Sequence, residues 1–183
     1  MGANFTALFD YSINSQDLID IPTKLNDKEQ FRYFYSVVDS LDDTKITRWE
    51  WPKDIISNRT VEEEFLEEGF VSMGGPGGFV FYVGKHLCEL SSYIRWGTFL
   101  ESMEIQNHFR KISLEFSRIF GNPLYAPDLF CLDSYLFDEE SIDEAKKWLI
   151  KEYGPPSNSI NEMIIDSRKI NEFRKYFIED FKE

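Results

Sequence analysis

The chain has 183 residues, with 33 acidic side chains against 20 basic ones and a net charge of −13. A hydrophobic content of 42%, with 16% aromatic residues, is enough to build a sizeable core and excludes general disorder, and the length fits one globular domain over residues 1–183. A sequence pI near 4.6 without any Lys/Arg run excludes binding that depends on neutralising nucleic-acid phosphates, and it repels anionic membranes.

Residues 4–11 alternate, with Phe5, Ala7, Phe9 and Tyr11 on one side, and read as a strand. A short helical stretch after Ser15 is interrupted by Pro22, which breaks a helix interior. Asp27 to Gln30 is a variant capping box, and Phe31, Phe34, Val38 and Leu41 then recur at helical spacing, predicting a helix over about 28–41. Alternation returns at 46–51 through Thr47, Trp49 and Trp51. Thr60-Val61-Glu62-Glu63 is a full capping box and opens an acidic helix that stops at Gly69, with a strand to follow over Phe70 to Met73.

Gly74-Gly75-Pro76-Gly77-Gly78 is a turn region that no regular element spans. Beyond it, Phe79–Val83 and His86–Trp96 alternate on either side of Gly84-Lys85, which suits a type II′ hairpin. In that register Val83 faces His86, Phe81 faces Cys88 and Phe79 faces Leu90. One face of the hairpin then holds Phe79, Phe81, Val83, Cys88, Leu90, Ile94 and Trp96, and reads as core. The opposite face holds Val80, Tyr82, Leu87, Glu89, Ser91, Tyr93 and Arg95 and is amphipathic.

A long helix is expected over about 99–120, stopped by Gly121, and Asn122 to Phe130 reads as extended. Ser141 to Glu144 is a further capping box whose helix ends at Gly154-Pro155-Pro156. An edge strand at 160–165 and a last helix from about 167 carrying Ile170, Phe173, Phe177 and Phe181 complete the chain. The order predicts an α+β fold, an antiparallel β-sheet with a central hairpin at about 79–96 packed against several helices.

The charge sits on the flanks. Residues 1–69 hold 15 acids and 7 bases and residues 128–183 hold 14 and 8, while the stretch 70–127 holds only 4 and 5. No run approaches the ~20 apolar residues that a membrane span needs, and no basic and apolar leader opens the chain, so a cytoplasmic protein is expected. Cys88 and Cys131 are far apart and read as free thiols.

Chemical motifs are sparse. The Gly74–Gly78 loop lacks the Gly-Lys-Ser/Thr ending of a phosphate-binding loop and leads into a strand. His86 and His108 are isolated, Cys88 lies among phenylalanines, and Asp128, Asp133 and Asp138 lack the calcium-loop glycine, so neither a metal nor a cofactor is expected. What remains is surface. The second hairpin face offers Tyr82, Glu89, Tyr93 and Arg95, of which Tyr and Arg are the types that dominate binding hot spots, and Glu63, Glu64 and Glu67, together with the acids of 138–144, offer a steering field.

Met73-Gly74-Gly75-Pro76-Gly77-Gly78-Phe79, then Tyr93-Ile94-Arg95-Trp96, then Tyr125-Ala126-Pro127-Asp128, set in a small acidic aromatic-rich domain, resemble the immunity-type proteins of bacterial polymorphic toxin systems. The resemblance implies a protein that binds and blocks a cognate toxin, often a basic nuclease. The sequence therefore points to a non-enzymatic acidic protein that neutralises a basic protein partner. The alternative is a small-molecule-binding domain or enzyme with a site near Gly74–Gly78, lined by His86, Asp128 or Cys131.

Overall fold

The computed structural model describes residues 3–13, 15–40, 46–53, 60–128, 141–170 and 175–181. Its centre is a six-stranded antiparallel sheet in the order β2-β3-β4-β1-β5-β6, formed by β1 (Asn4–Asp10), β2 (Phe70–Gly74), β3 (Val80–Gly84), β4 (Leu87–Arg95), β5 (Pro123–Pro127) and β6 (Phe177–Ile178). Helices pack against this sheet, so the fold is α+β as the element order predicts. Cys131, Asp133 and Asp138 lie outside the described residues.

The first strand lies in the interior of the sheet, paired with β4 on one side and β5 on the other. Its alternation therefore sorts two buried faces rather than a core and a solvent face. Phe5, Ala7 and Phe9 enter the larger core while Leu8 enters the smaller one, and Thr6 is buried because its hydroxyl donates to the Ala126 carbonyl at 2.9 Å.

The larger core is built of aromatic rings. The helices α1 (Ser15–Leu18), α2 (Ile21–Leu25), α3 (Arg32–Val38), α4 (Val61–Glu68), α5 (Trp96–Glu101) and α6 (Met103–Phe120) each contribute buried side chains to it or pack on it. Phe116 of α6 lies at its middle, with ring centroids of Phe31, Phe34, Phe81 and Trp49 between 4.9 and 6.2 Å away. Pro22 is tolerated because it falls in the first turn of α2, where its missing N–H is not needed. The α4 capping box forms as predicted: Thr60 Oγ1 accepts from the Glu63 amide while the Glu63 carboxylate accepts from the Thr60 amide.

The hairpin forms two residues along from the expected register. Val83 pairs with Cys88, Phe81 with Leu90 and Val80 with Ser91, which places Lys85-His86 at the turn. Gly84 is drawn into pairing with Phe70 of β2 and Leu87 into pairing with Asp10 of β1, so the neighbouring strands set the register and the glycine does not. A slip of two residues leaves side-chain parity intact. The core face consequently survives: Phe79, Phe81, Val83, Cys88 and Leu90 are buried in the large core with Trp96.

The opposite face of the sheet is covered in its middle by α7 (Ile142–Tyr153), whose Ile142, Ala145 and Leu149 pack with Leu8, Leu87 and Leu124. The α7 capping box at Ser141 and Glu144 is present, with Glu144 accepting from the Ser141 amide.

Two expectations near the C-terminus are corrected. Residues 160–165 are helical, the start of α8 (Ile160–Ile170), and not an edge strand. Ser159 Oγ accepts from the Glu162 amide and the Glu162 carboxylate accepts from the Asn158 amide, a capping arrangement that the strand reading missed. Phe177 belongs to β6 and not to a last helix, because the tail pairs with β5 through Leu124 and Tyr125. The predicted long helix is also divided: Ser102 ends α5 in an extended conformation and caps α6 by accepting from the Ile105 amide.

Candidate functional site

A cleft of about 500 Å³ lies between α3, the glycine loop, the end of β4 and α6. Phe79 from the loop and Ile105, Phe109 and Ile112 from α6 give it an apolar wall. α3 contributes Tyr33 and Ser36, the turn after it contributes Ser40, and β4 contributes Ser92, Tyr93 and Ile94.

The position of Tyr93 follows from a register shift. Thr6 pairs with Ser91 but Asn4 pairs with Arg95, so β4 has three residues where β1 has one, and strict alternation fails over 92–94. Tyr93 therefore lines the same cleft as Phe79 and Ile94 instead of joining Tyr82 and Glu89 on the opposite face. Its ring packs over the loop, where a Cβ on Gly78 would lie 3.0 Å from Tyr93 Cε2, and it is 79% exposed at the mouth of the cleft. Gly78 sits at φ +74°, so the backbone and the ring both favour glycine there.

The polar end of the cleft is an imidazole and a phenol. Tyr33 Oη lies 2.6 Å from His108 Nδ1, and His108 Nε2 lies 3.8 Å from the Glu104 carboxylate one turn earlier on α6. The two rings stack with centroids 5.9 Å apart, and Lys111 Nζ lies 4.9 Å from the Tyr33 ring centroid. The buried Glu115 fixes α3 against α6. Its two carboxylate oxygens accept from the amides of Tyr33 at 2.7 Å and Phe34 at 2.9 Å. Glu115 carries no motif and reads as one more helix-face acid in the sequence; only the packing of two helices reveals its role.

The other sequence-derived site residues are dispersed. Glu89 is 3% exposed, opposite Leu8 in the sheet interior, and Tyr82 is half-buried against Phe70. The hairpin face on which they were expected to stand with Tyr93 and Arg95 is thus partly occupied by α7 and its core. Arg95 is exposed and donates to Asn4 Oδ1 at 3.1 Å. Glu63 and Glu67 are exposed on α4 and Glu64 is half-buried there.

His86 lies at the hairpin turn with Nδ1 3.4 Å from Ser12 Oγ, whereas Cys88 is fully buried among aromatic rings. Burial pushes the Cys88 thiol well above its usual range, which keeps it protonated and unreactive. Neither His86 nor Asp128 lines the cleft. Among the described residues no group of three or more His, Cys, Asp or Glu converges as a metal site would require.

A smaller polar recess of about 300 Å³ lies on the other flank of α6. Its Arg110 is committed to the buried Glu179 through two hydrogen bonds of 2.7 and 2.8 Å. Behind the pair, burial drives the Tyr125 phenol far above its ordinary range, and the nearby Glu179 carboxylate adds to the rise. This cluster fastens the tail to α6 and β5.

No family model, curated protein or solved structure matches the chain. No helix among the described residues is long and apolar enough to cross a membrane.

Proposed function

We propose that the protein is a non-enzymatic binding protein that holds and neutralises a basic protein partner in the cytoplasm, in the manner of the immunity-type proteins its sequence resembles. The cleft mouth is the anchor point. Tyr93 carries this reading: a ring 79% exposed, stacked over a glycine loop and standing beside an apolar cavity. An exposed aromatic in such a place gains most from being covered, which is why tyrosine recurs at the centre of binding hot spots.

The charge distribution supports a cationic partner. Within the six strands the charged residues are Asp10, Glu89 and Arg95, so the net charge of −13 is carried mainly outside the sheet. Exposed acids such as Glu63 and Glu67 on α4 contribute to a field that draws a basic protein in, and the apolar anchor then holds it. The test is retention of proteins from a lysate of the source organism on the immobilised protein at low and at high salt. The reading expects a basic protein held at low salt and released at high salt. Retention of nucleic acid alone, or of no protein at low salt, contradicts it.

A second reading is favoured by the volume of the cleft. About 500 Å³ lies within the range of small-ligand pockets, and Gly77 and Phe79 of the glycine loop line it. Under this reading a small-molecule screen yields a ligand that shifts the amides around the cleft, and no protein is retained.

A further inference from the structure

We infer that the cleft takes a long basic side chain, an arginine or lysine of the bound partner, with its alkyl stem along the apolar wall and its charged head on α3. The inference rests on the cleft being the partner's anchor point, and it names the chemistry of the group that enters.

The polar atoms along α3 are arranged as acceptors. Ser36 Oγ donates its proton to the Tyr33 carbonyl at 2.7 Å, and Ser40 Oγ donates to the Val37 carbonyl. Each hydroxyl has a single proton, spent on a backbone carbonyl three residues earlier, so each oxygen offers only lone pairs to the cleft. Tyr33 Oη and His108 Nδ1 share one hydrogen bond across 2.6 Å at the far end of this row.

Two oxygens that accept and do not donate match a guanidinium with five N–H groups or an ammonium with three, and they mismatch a carboxylate. The wall of Phe79, Ile105, Phe109 and Ile112 suits the methylene stem that lysine and arginine bury while keeping the head wet. Ser92, across the cleft on β4, is the exception: its oxygen accepts from the Ile94 amide at 3.3 Å and its proton remains available to donate. Lys111 opposes a bound cation, since its ammonium lies 4.9 Å from the Tyr33 ring centroid. The net charge of −13 outweighs this local term at long range.

Three probes of equal chain length test the inference: hexylguanidinium, hexanol and hexanoate, each titrated into the isotope-labelled protein and followed by amide chemical shifts. Hexylguanidinium is expected to shift the amides of α3, Ser92–Ile94 and α6, and to bind about tenfold more tightly than hexanol, with hexanoate weakest. Ser36→Ala combined with Ser40→Ala should reduce that preference, and both positions are exposed so the fold is retained. Lys111→Met should strengthen hexylguanidinium binding. Equal binding of hexanol or hexanoate, or no binding of hexylguanidinium, overturns the inference. Those outcomes leave the partner reading standing provided that Tyr93→Ala still releases the retained protein, whereas continued retention by Tyr93→Ala overturns the reading itself.

Discussion

A Cβ at position 75 would lie 2.4 Å from Cε3 of Trp49, far inside van der Waals contact, and the Trp49 ring is hemmed in by Phe34, Phe81 and Phe116. Gly75→Ala should therefore cost about 1–3 kcal/mol through forced repacking, measured as a lower urea midpoint at unchanged slope. Tyr93 is the opposite case. Its ring is mostly in solvent, so Tyr93→Ala should change stability by roughly 0.5 kcal/mol or less, yet weaken partner binding by about 2 kcal/mol or more. Gly78→Ala combines both effects, because it strains a left-handed position and pushes the Tyr93 ring.

At the scale of elements, the cleft depends on α3 being held to α6. Glu115 does this by accepting from two α3 amides, and Glu115→Ala leaves those amides and a void in a buried setting. A loss of about 1–3 kcal/mol is expected, along with loss of the Tyr33–His108 contact, which the His108 ring resonances report by NMR. The same scale shows what the sequence made legible. Period-two alternation located β1, β3 and β4, and capping boxes located α4 and α7, because each signal is local. The hairpin register is not legible, since it depends on pairing of Gly84 with β2 and of Leu87 with β1, the latter a strand far away in sequence. Tyr93 was singled out by residue type but placed on the wrong face, because the irregularity at 92–94 arises from pairing with β1 and leaves no mark in the residue pattern. The strand expectation at 160–165 rests on the β-branched Ile160, Ile164 and Ile165 in a short run, whereas Ile160, Met163 and Ile164 stand at the i, i+3, i+4 spacing of a helix.

Across the whole molecule, the buried Cys88 thiol and two buried phenols make stability fall at alkaline pH. Burial pushes the Tyr35 and Tyr176 phenols up from 10.0 to about 12, and both donate their protons to backbone carbonyls, Tyr35 to Leu25 and Tyr176 to Gly154. A phenol that holds its proton more tightly in the folded state contributes stability that is complete below the unfolded value and is lost as pH rises through the folded one. Denaturant midpoints should accordingly begin to fall above about pH 9, where the Cys88 thiol ionises only in the unfolded chain, and fall further between pH 10 and about 12 as the phenols follow. Association with the partner should respond to salt instead, as the net charge of −13 is screened. The central claim is that a basic protein is anchored at Tyr93, and the most direct measurement is side-by-side retention from the same lysate by wild type, Tyr93→Ala and Ile150→Ala, the last an exposed apolar position on α7 away from the cleft. The account predicts one basic protein held at low salt by wild type and Ile150→Ala and lost from Tyr93→Ala; equal retention by all three contradicts it.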